Sequence, residues 1–206
     1  MGAISDVVRR LRYGKPIVVV SGLPRSGTSM AMRMLEAGGI PLLIDGIRTA
    51  DVSNPNGYYE FELVKQLDKG GDLAWLGDAR GKAVKIISFL LTFLPETYEY
   101  KVIFMRRDLD EAIASQNAML AQRGQPKGAE DDQIRRLYED HLEKVGRFLL
   151  NRPCFSTLSM TYGDVVEKPA LAAHRMNEFL GATLDVAKMA KVANPALYRN
   201  RRQVAV

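Results

Sequence analysis

Between the hydroxyl residues Ser21 and Ser29 the chain reads Gly22-Leu23-Pro24-Arg25-Ser26-Gly27-Thr28, with two glycines five positions apart and a hydroxyl after the second. This is the spacing of a phosphate-binding loop, in which successive backbone N–H groups and the start of the following helix surround an anion with partial positive charge. A loop of this kind that handles nucleoside triphosphates has Lys directly after its second glycine, where it reaches the β and γ phosphates. Here Thr28 occupies that position and the cation sits earlier, at Arg25. Anion capture is the expected chemistry, with the positive charge supplied from inside the loop. Later groups that can serve an anionic ligand are Lys85, Arg107 with Ser115 eight positions on, and the terminal cluster Arg199-Asn200-Arg201-Arg202.

These residues need elements that hold them together. Pro16-Ile-Val-Val-Val-Ser21 is a continuous β-branched run, of the kind buried on both faces of a parallel sheet. Thr28 to Ala37 carries apolar residues at helical spacing, and Gly38-Gly39 supplies the stop. Strand, phosphate-sized loop and helix therefore follow one another. Further strands are expected at Ala83–Ile87, Lys101–Met105 and Phe155–Met160, each separated by enough chain for a crossover helix. The capping box Asp108-Leu-Asp-Glu111 opens a helix to about Gln122, and a long charged helix is expected from Glu130 to Leu150. Another runs from Lys168-Pro169 to Gly181, with a short helical segment over Asp185–Val192. The fold class expected is α/β: a three-layer P-loop fold with a central parallel sheet of about four to five strands flanked by helices. In that plan Arg107 leaves the C-terminal end of a buried strand, where ligands of open α/β sheets bind, and Ser115 lies two turns into the capped helix.

Pro24-Arg25-Ser26-Gly27-Thr28-Ser29 between first strand and first helix resembles the phosphosulfate loop of the sulfotransferase superfamily, which carries Lys or Arg before Ser-Gly-Thr. The resemblance implies that Arg25, Ser26, Gly27, Thr28 and Ser29 surround the 5′-phosphosulfate of 3′-phosphoadenosine 5′-phosphosulfate (PAPS), whose spent form is the 3′,5′-bisphosphate (PAP). It implies that Arg107 and Ser115 bind the 3′-phosphate, since the family places an Arg after a later strand and a Ser eight residues on. Met160-Thr-Tyr162-Gly-Asp164, followed by Pro169 and Phe179-Leu-Gly181, resembles the family's late strand, turn and helix. Tyr162 is then either a wall against the adenine or a tyrosine packed at the edge of the core. Leu197-Tyr-Arg199-Asn-Arg201-Arg202 resembles the late basic segment that reaches the 3′-phosphate, without the family's glycine. No metal is implied, because this transfer proceeds with side-chain and backbone charge.

Sulfo transfer needs a base for the acceptor and cations where charge builds on the leaving oxygen. In many cytosolic members the base is a His two residues after a strand Lys. Here Lys85 is present and Ile87 takes the His position. Asn54-Pro-Asn-Gly-Tyr-Tyr-Glu60-Phe-Glu62 resembles the segment from which bacterial members draw a carboxylate, which makes Glu60 the candidate base, with Glu62 and Asp51 behind it. The competing reading of Glu60 is a solvated glutamate in the first turn of a helix. Lys85 contacts the transferring sulfonate by the same resemblance, or is a structural lysine. Trp75 and Ser88–Leu94 either line an acceptor pocket or bury an apolar face. The acceptor is left open among a small molecule, a glycan and a lipid. The alternatives are a P-loop phosphotransferase or NTPase, and a nucleotide-binding regulatory protein without catalysis.

The chain has 206 residues, 47% hydrophobic and 26% charged, with a formal charge of +5, enough apolar content for a full core and no internal linker, so one domain over 1–206 is expected. There is no interleaved basic-aromatic stripe or zinc-finger spacing, so nucleic acid is not the expected partner. The lone Cys154 excludes an intrachain disulfide and fits a small core thiol in a reducing compartment, and His141 and His174 sit in amphipathic helical stretches. No apolar run approaches the roughly 20 residues a bilayer requires, and the N-terminus lacks a secretory pattern, so a cytoplasmic location is expected. A homodimer is left open.

Overall fold

In the computed structural model, residues 13–47, 57–126 and 128–193 are described. The four β-branched and aromatic runs form β1 (Ile17–Gly22), β2 (Ala83–Lys85), β3 (Tyr100–Arg106) and β4 (Phe155–Thr161). They make a wholly parallel sheet in the order β2-β1-β3-β4. The intervening helices are α1 (Thr28–Ala37), α2 (Trp75–Asp78), α3 (Leu109–Gln122), α4 (Asp131–Leu150), α5 (Tyr162–Glu167), α6 (Pro169–Leu180) and α7 (Val186–Val192). Two 3₁₀ segments, Glu62–Lys69 and Ser88–Phe93, complete the connections. The fold is α/β, as the alternation of strand and helix patterns requires.

Side chains of successive strand residues point to opposite faces, so a strand buried on both sides must be apolar at every position. In β1, Ile17 and Val19 enter one core with Val84, Val102, Phe104 and the α4 residues Val145 and Leu149. Val18 and Val20 enter the other, with Ile103, Met105, Met160 and the helices α1, α6 and α7. The result is three layers with helices on both faces. The chain reverses its direction of travel across the sheet between β1 and β3, where a crevice opens above their C-terminal ends. The loop Gly22–Gly27 and Arg107 both emerge there.

Three expectations need adjustment. β2 stops at Lys85, two residues early, because Ile87 turns outward as the cap of the 3₁₀ segment Ser88–Phe93. That segment is a 3₁₀ turn burying Ser88, Leu90 and Leu91, while Trp75 is buried edge-on against Phe61 at 5.5 Å between ring centres. Both are core material. Asp108 caps α3 by accepting from the N–H groups of Asp110 and Glu111, and the Glu111 side chain is buried and accepts from Arg107 Nε at 3.1 Å.

His141, at the middle of α4, is stacked on Phe89 at 3.8 Å and lies 2.9 Å from the hydroxyl of the buried Ser88. Burial, the largest cause, holds its pKa below the usual 6.5, with Lys144 acting in the same direction and Asp140 opposing. A proton is therefore bound more readily by the unfolded chain than by the folded one, and stability falls as pH drops through about 6.5. Urea midpoints measured from pH 7.5 to 5.5 are expected to fall more steeply in the wild type than in His141→Gln. Parallel curves would mean that His141 is as solvated in the folded chain as in the unfolded one.

Candidate functional site

The loop between β1 and α1 is built from three unusual backbone positions. Gly22 is aligned with Met105 of β3, and a Cβ at Gly22 would lie 2.4 Å from the Met105 carbonyl oxygen and equally close to Ser26 Oγ. Arg25 has φ 66°, a left-handed conformation uncommon for a residue with a side chain, and Gly27 follows at φ 97°. These torsions close the loop over the start of α1, whose first turn carries no acidic residue and no side-chain cap. A helix N-terminus left uncapped in this way presents its N–H groups and partial positive charge to an anion. Ser26 is 1% exposed, with its hydroxyl buried and unpartnered. The loop fits a phosphate or sulfate oxygen cluster.

Around it the residues singled out from sequence converge. Arg25 Nε donates to Ser115 Oγ at 3.0 Å, joining the loop to the second turn of α3. Arg107 NH1 donates to the Arg25 carbonyl at 3.2 Å, and its guanidinium lies 4.6 Å from the Tyr162 ring centre. Arg107 and Glu111 form a buried ion pair, 7% and 6% exposed, in which the carboxylate fixes the plane of the guanidinium. Tyr162 is also buried, and a Cβ on Gly27 would lie 2.4 Å from its ring. The Tyr162 ring packs against both Gly27 and the Arg107 guanidinium.

Lys85 ends β2 on the other side of the loop. Its ammonium donates to the Tyr58 carbonyl and lies 3.5 Å from Glu60 Oε1, with side chains 8% and 19% exposed. Glu60 precedes the 3₁₀ segment, and the first-turn acid is Glu62, exposed and paired with Lys65 at 2.8 Å. Glu60 is thus the counter-ion of Lys85, and the reading of it as a solvated helix-start residue does not hold. Ser29 Oγ reaches the same Tyr58 carbonyl at 3.4 Å, which ties the Glu60 segment to the first turn of α1. Asp51, Arg199 and Arg201 lie outside the described residues.

Two participants have no sequence signal of their own. Tyr58 is buried, with Arg123 donating to its hydroxyl at 3.0 Å and the cations of Lys85 and Arg123 each 5.9 Å from its ring centre. Arg123 caps the C-terminal end of α3 and looks in sequence like any helix-end arginine.

No protein-family model and no curated protein matches the chain. Solved structures do. A sulfotransferase domain of the Synechococcus PCC 7002 olefin synthase aligns over 95% of this chain and 91% of its own, at 16% identity and a TM-score of 0.51. The sulfotransferase STF1 of Mycobacterium tuberculosis H37Rv aligns over 93% and 76%, at 15% identity and a TM-score of 0.59. STF9 of Mycobacterium avium aligns over 98% and 73%, at 12% identity and a TM-score of 0.57. The chain has the sulfotransferase fold. At these identities the likeness concerns architecture alone.

The tight packing of Gly27 on Tyr162 is the most direct handle on this site. Gly27→Ala combines a left-handed backbone with a methyl driven into an aromatic ring, and a loss of about 2–4 kcal/mol is expected. Urea unfolding followed by Trp75 fluorescence measures it. A loss under about 0.5 kcal/mol, within the range of ordinary surface substitutions, would mean that the ring does not rest against the loop.

Proposed function

We propose that the chain is a sulfotransferase that moves a sulfo group from 3′-phosphoadenosine 5′-phosphosulfate to a hydroxyl or amine. The observation that carries this reading is the 3.0 Å contact between Arg25 Nε and Ser115 Oγ. It brings the cation of a loop suited to one anion beside the group expected to hold a second. A nucleotide with a phosphosulfate at its 5′ end and a phosphate at its 3′ position needs two such subsites side by side. A nucleoside triphosphate needs a lysine after the loop's second glycine, which Thr28 replaces.

The residues that would hold the 5′ end are Arg25, Ser26, Gly27, Thr28 and Ser29, through loop N–H groups, hydroxyls and the α1 N-terminus. Arg107 and Ser115 would hold the 3′-phosphate, and when bound the nucleotide supplies a sulfo group activated by its phosphate linkage. Arg25 contributes positive charge where negative charge grows on the leaving oxygen, in a crevice whose walls lower the local dielectric and strengthen that interaction. Glu60 accepts the proton of the acceptor. Lys85 orients that carboxylate and is itself fixed by the Tyr58 carbonyl, so the base is held in place by β2 and by the first turn of α1 together. Tyr162 acts here as the support beneath Gly27 and Arg107.

Calorimetric titration with 3′,5′-adenosine bisphosphate, ATP and AMP tests donor recognition. Selective binding of the bisphosphate is expected, with Arg107→Ala weakening it at least tenfold. A magnesium-dependent preference for ATP would overturn the reading in favour of a phosphotransferase. Where turnover of an acceptor is measured, Glu60→Gln is expected to leave bisphosphate affinity within about twofold and to lower kcat by about 10²–10⁴, the usual contribution of a positioned base. Full activity in that variant would remove Glu60 from the base role.

A further inference from the structure

On the face of the sheet covered by α4, the strands β3 and β4 leave a cavity of about 570 Å³. That lies within the roughly 300–1,000 Å³ typical of small-molecule sites. Phe104 of β3 and Leu142, Val145 and Leu149 of α4 give it apolar walls, and the exposed hydroxyls of Thr157 and Ser159 line it along edge strand β4. Arg25, Glu60, Lys85 and Ser115 are not among its lining residues.

Three independent features distinguish this space from a packing fault. Gly146 lies well inside the 20-residue helix α4, where glycine is a poor choice on propensity grounds, and a Cβ there would meet nothing within 4 Å. Its missing side chain keeps the cavity open. Ser26, whose buried hydroxyl has no partner, lines the cavity beneath the phosphate-sized loop. Arg106, exposed at the end of β3, also lines it, and its guanidinium has no hydrogen-bonding or ion-pair partner among the described residues. Of the two acids at the rim, Glu139 shares Arg135 with Asp110, at 3.9 Å from it, and Glu143 lies 3.4 Å from Arg147. Arg106 is thus the lining cation whose side chain has no acidic partner among the described residues.

We infer that this cavity is a second binding site, taking a small amphiphile with an aliphatic body and an anionic head. The body lies between Phe104 and the apolar side of α4, and the head meets Arg106 with the β4 hydroxyls alongside. The site shares Ser26 and Arg107 with the surroundings of the loop, so occupancy is expected to alter affinity for an anion held there, and by linkage the reverse. It does not rest on sulfo transfer: decanoate binding in a chain that ignores adenosine bisphosphate would sink only the donor reading.

The experiment is calorimetric titration of the full chain with decanoate and, in parallel, with 1-decanol. One equivalent of decanoate is expected to bind. Gly146→Leu, which fills the space from α4, is expected to weaken binding at least tenfold without lowering the melting temperature. Ser159→Leu fills it from the β4 side, is expected to give the same loss, and serves if the first variant fails to fold. Arg106→Gln is expected to weaken decanoate about tenfold and to change 1-decanol by less than twofold. Absence of saturable binding in the wild type, or undiminished binding in the filled variants, overturns the proposal. Unchanged decanoate affinity in Arg106→Gln overturns the anionic head.

Discussion

The arrangement at the C-terminal end of the sheet depends on how closely β1 and β3 approach at Gly22 and Met105. A Cβ at Gly22 would sit 2.4 Å from the Met105 carbonyl oxygen, so no other residue fits between the strands at that level. Because β1 can come this near, the loop it feeds passes directly over the end of β3. From there the Arg25 carbonyl accepts from Arg107 and the Arg25 side chain reaches Ser115. A wider separation would put loop and strand end out of mutual reach, and Arg25 and Arg107 would no longer belong to one cluster. The left-handed torsions at Arg25 and Gly27 are a second cost of the same geometry, sustained by the packing of Tyr162 from below.

A comparable constraint operates at Tyr58. Its carbonyl accepts from Lys85 and lies within reach of Ser29, and its hydroxyl accepts from Arg123. One residue thus links the end of β2, the first turn of α1 and the last turn of α3. The next residue, Tyr59, has φ 54°, rare for a bulky aromatic, and its hydroxyl donates to Glu36 on α1. The torsion reverses the chain so that consecutive residues serve different neighbours, with Tyr58 and Glu60 turned to Lys85 and Tyr59 to α1. Local strain at Tyr59 and Arg25 therefore marks the two places where an irregular segment is held against the sheet.

The parts of this architecture that were legible in sequence are those fixed by local periodicity. β1, α1 and α4 emerge close to where alternation, helical spacing and glycine stops put them, because both faces of the sheet are buried and the pattern has no freedom to drift. The loop was legible because its glycines answer to backbone torsions that few other residues adopt. Glu111 was legible as a capping residue and not as the partner of Arg107, since the i,i+4 pair spans a helix boundary and the choice is made by burial. Tyr58 and Arg123 were illegible for a related reason: they are 65 positions apart and meet only when α3 folds back over the loop. Pairing across such distances leaves no spacing in the chain to read.

The internal pairing of the site's cations also decides what kind of ligand it can hold firmly. Arg107 is paired with Glu111 and Lys85 with Glu60, each partly or wholly removed from water. Such pairs contribute little net stability, because desolvation offsets most of the attraction. They do fix long side chains in one orientation before any ligand arrives, which lowers the ordering cost that binding would otherwise carry. They also leave each guanidinium or ammonium with less unopposed charge, so a singly charged anion gains little from any one of them. Under the proposed function, a ligand would gain most by engaging the loop N–H groups, the α1 N-terminus and the β3 end together.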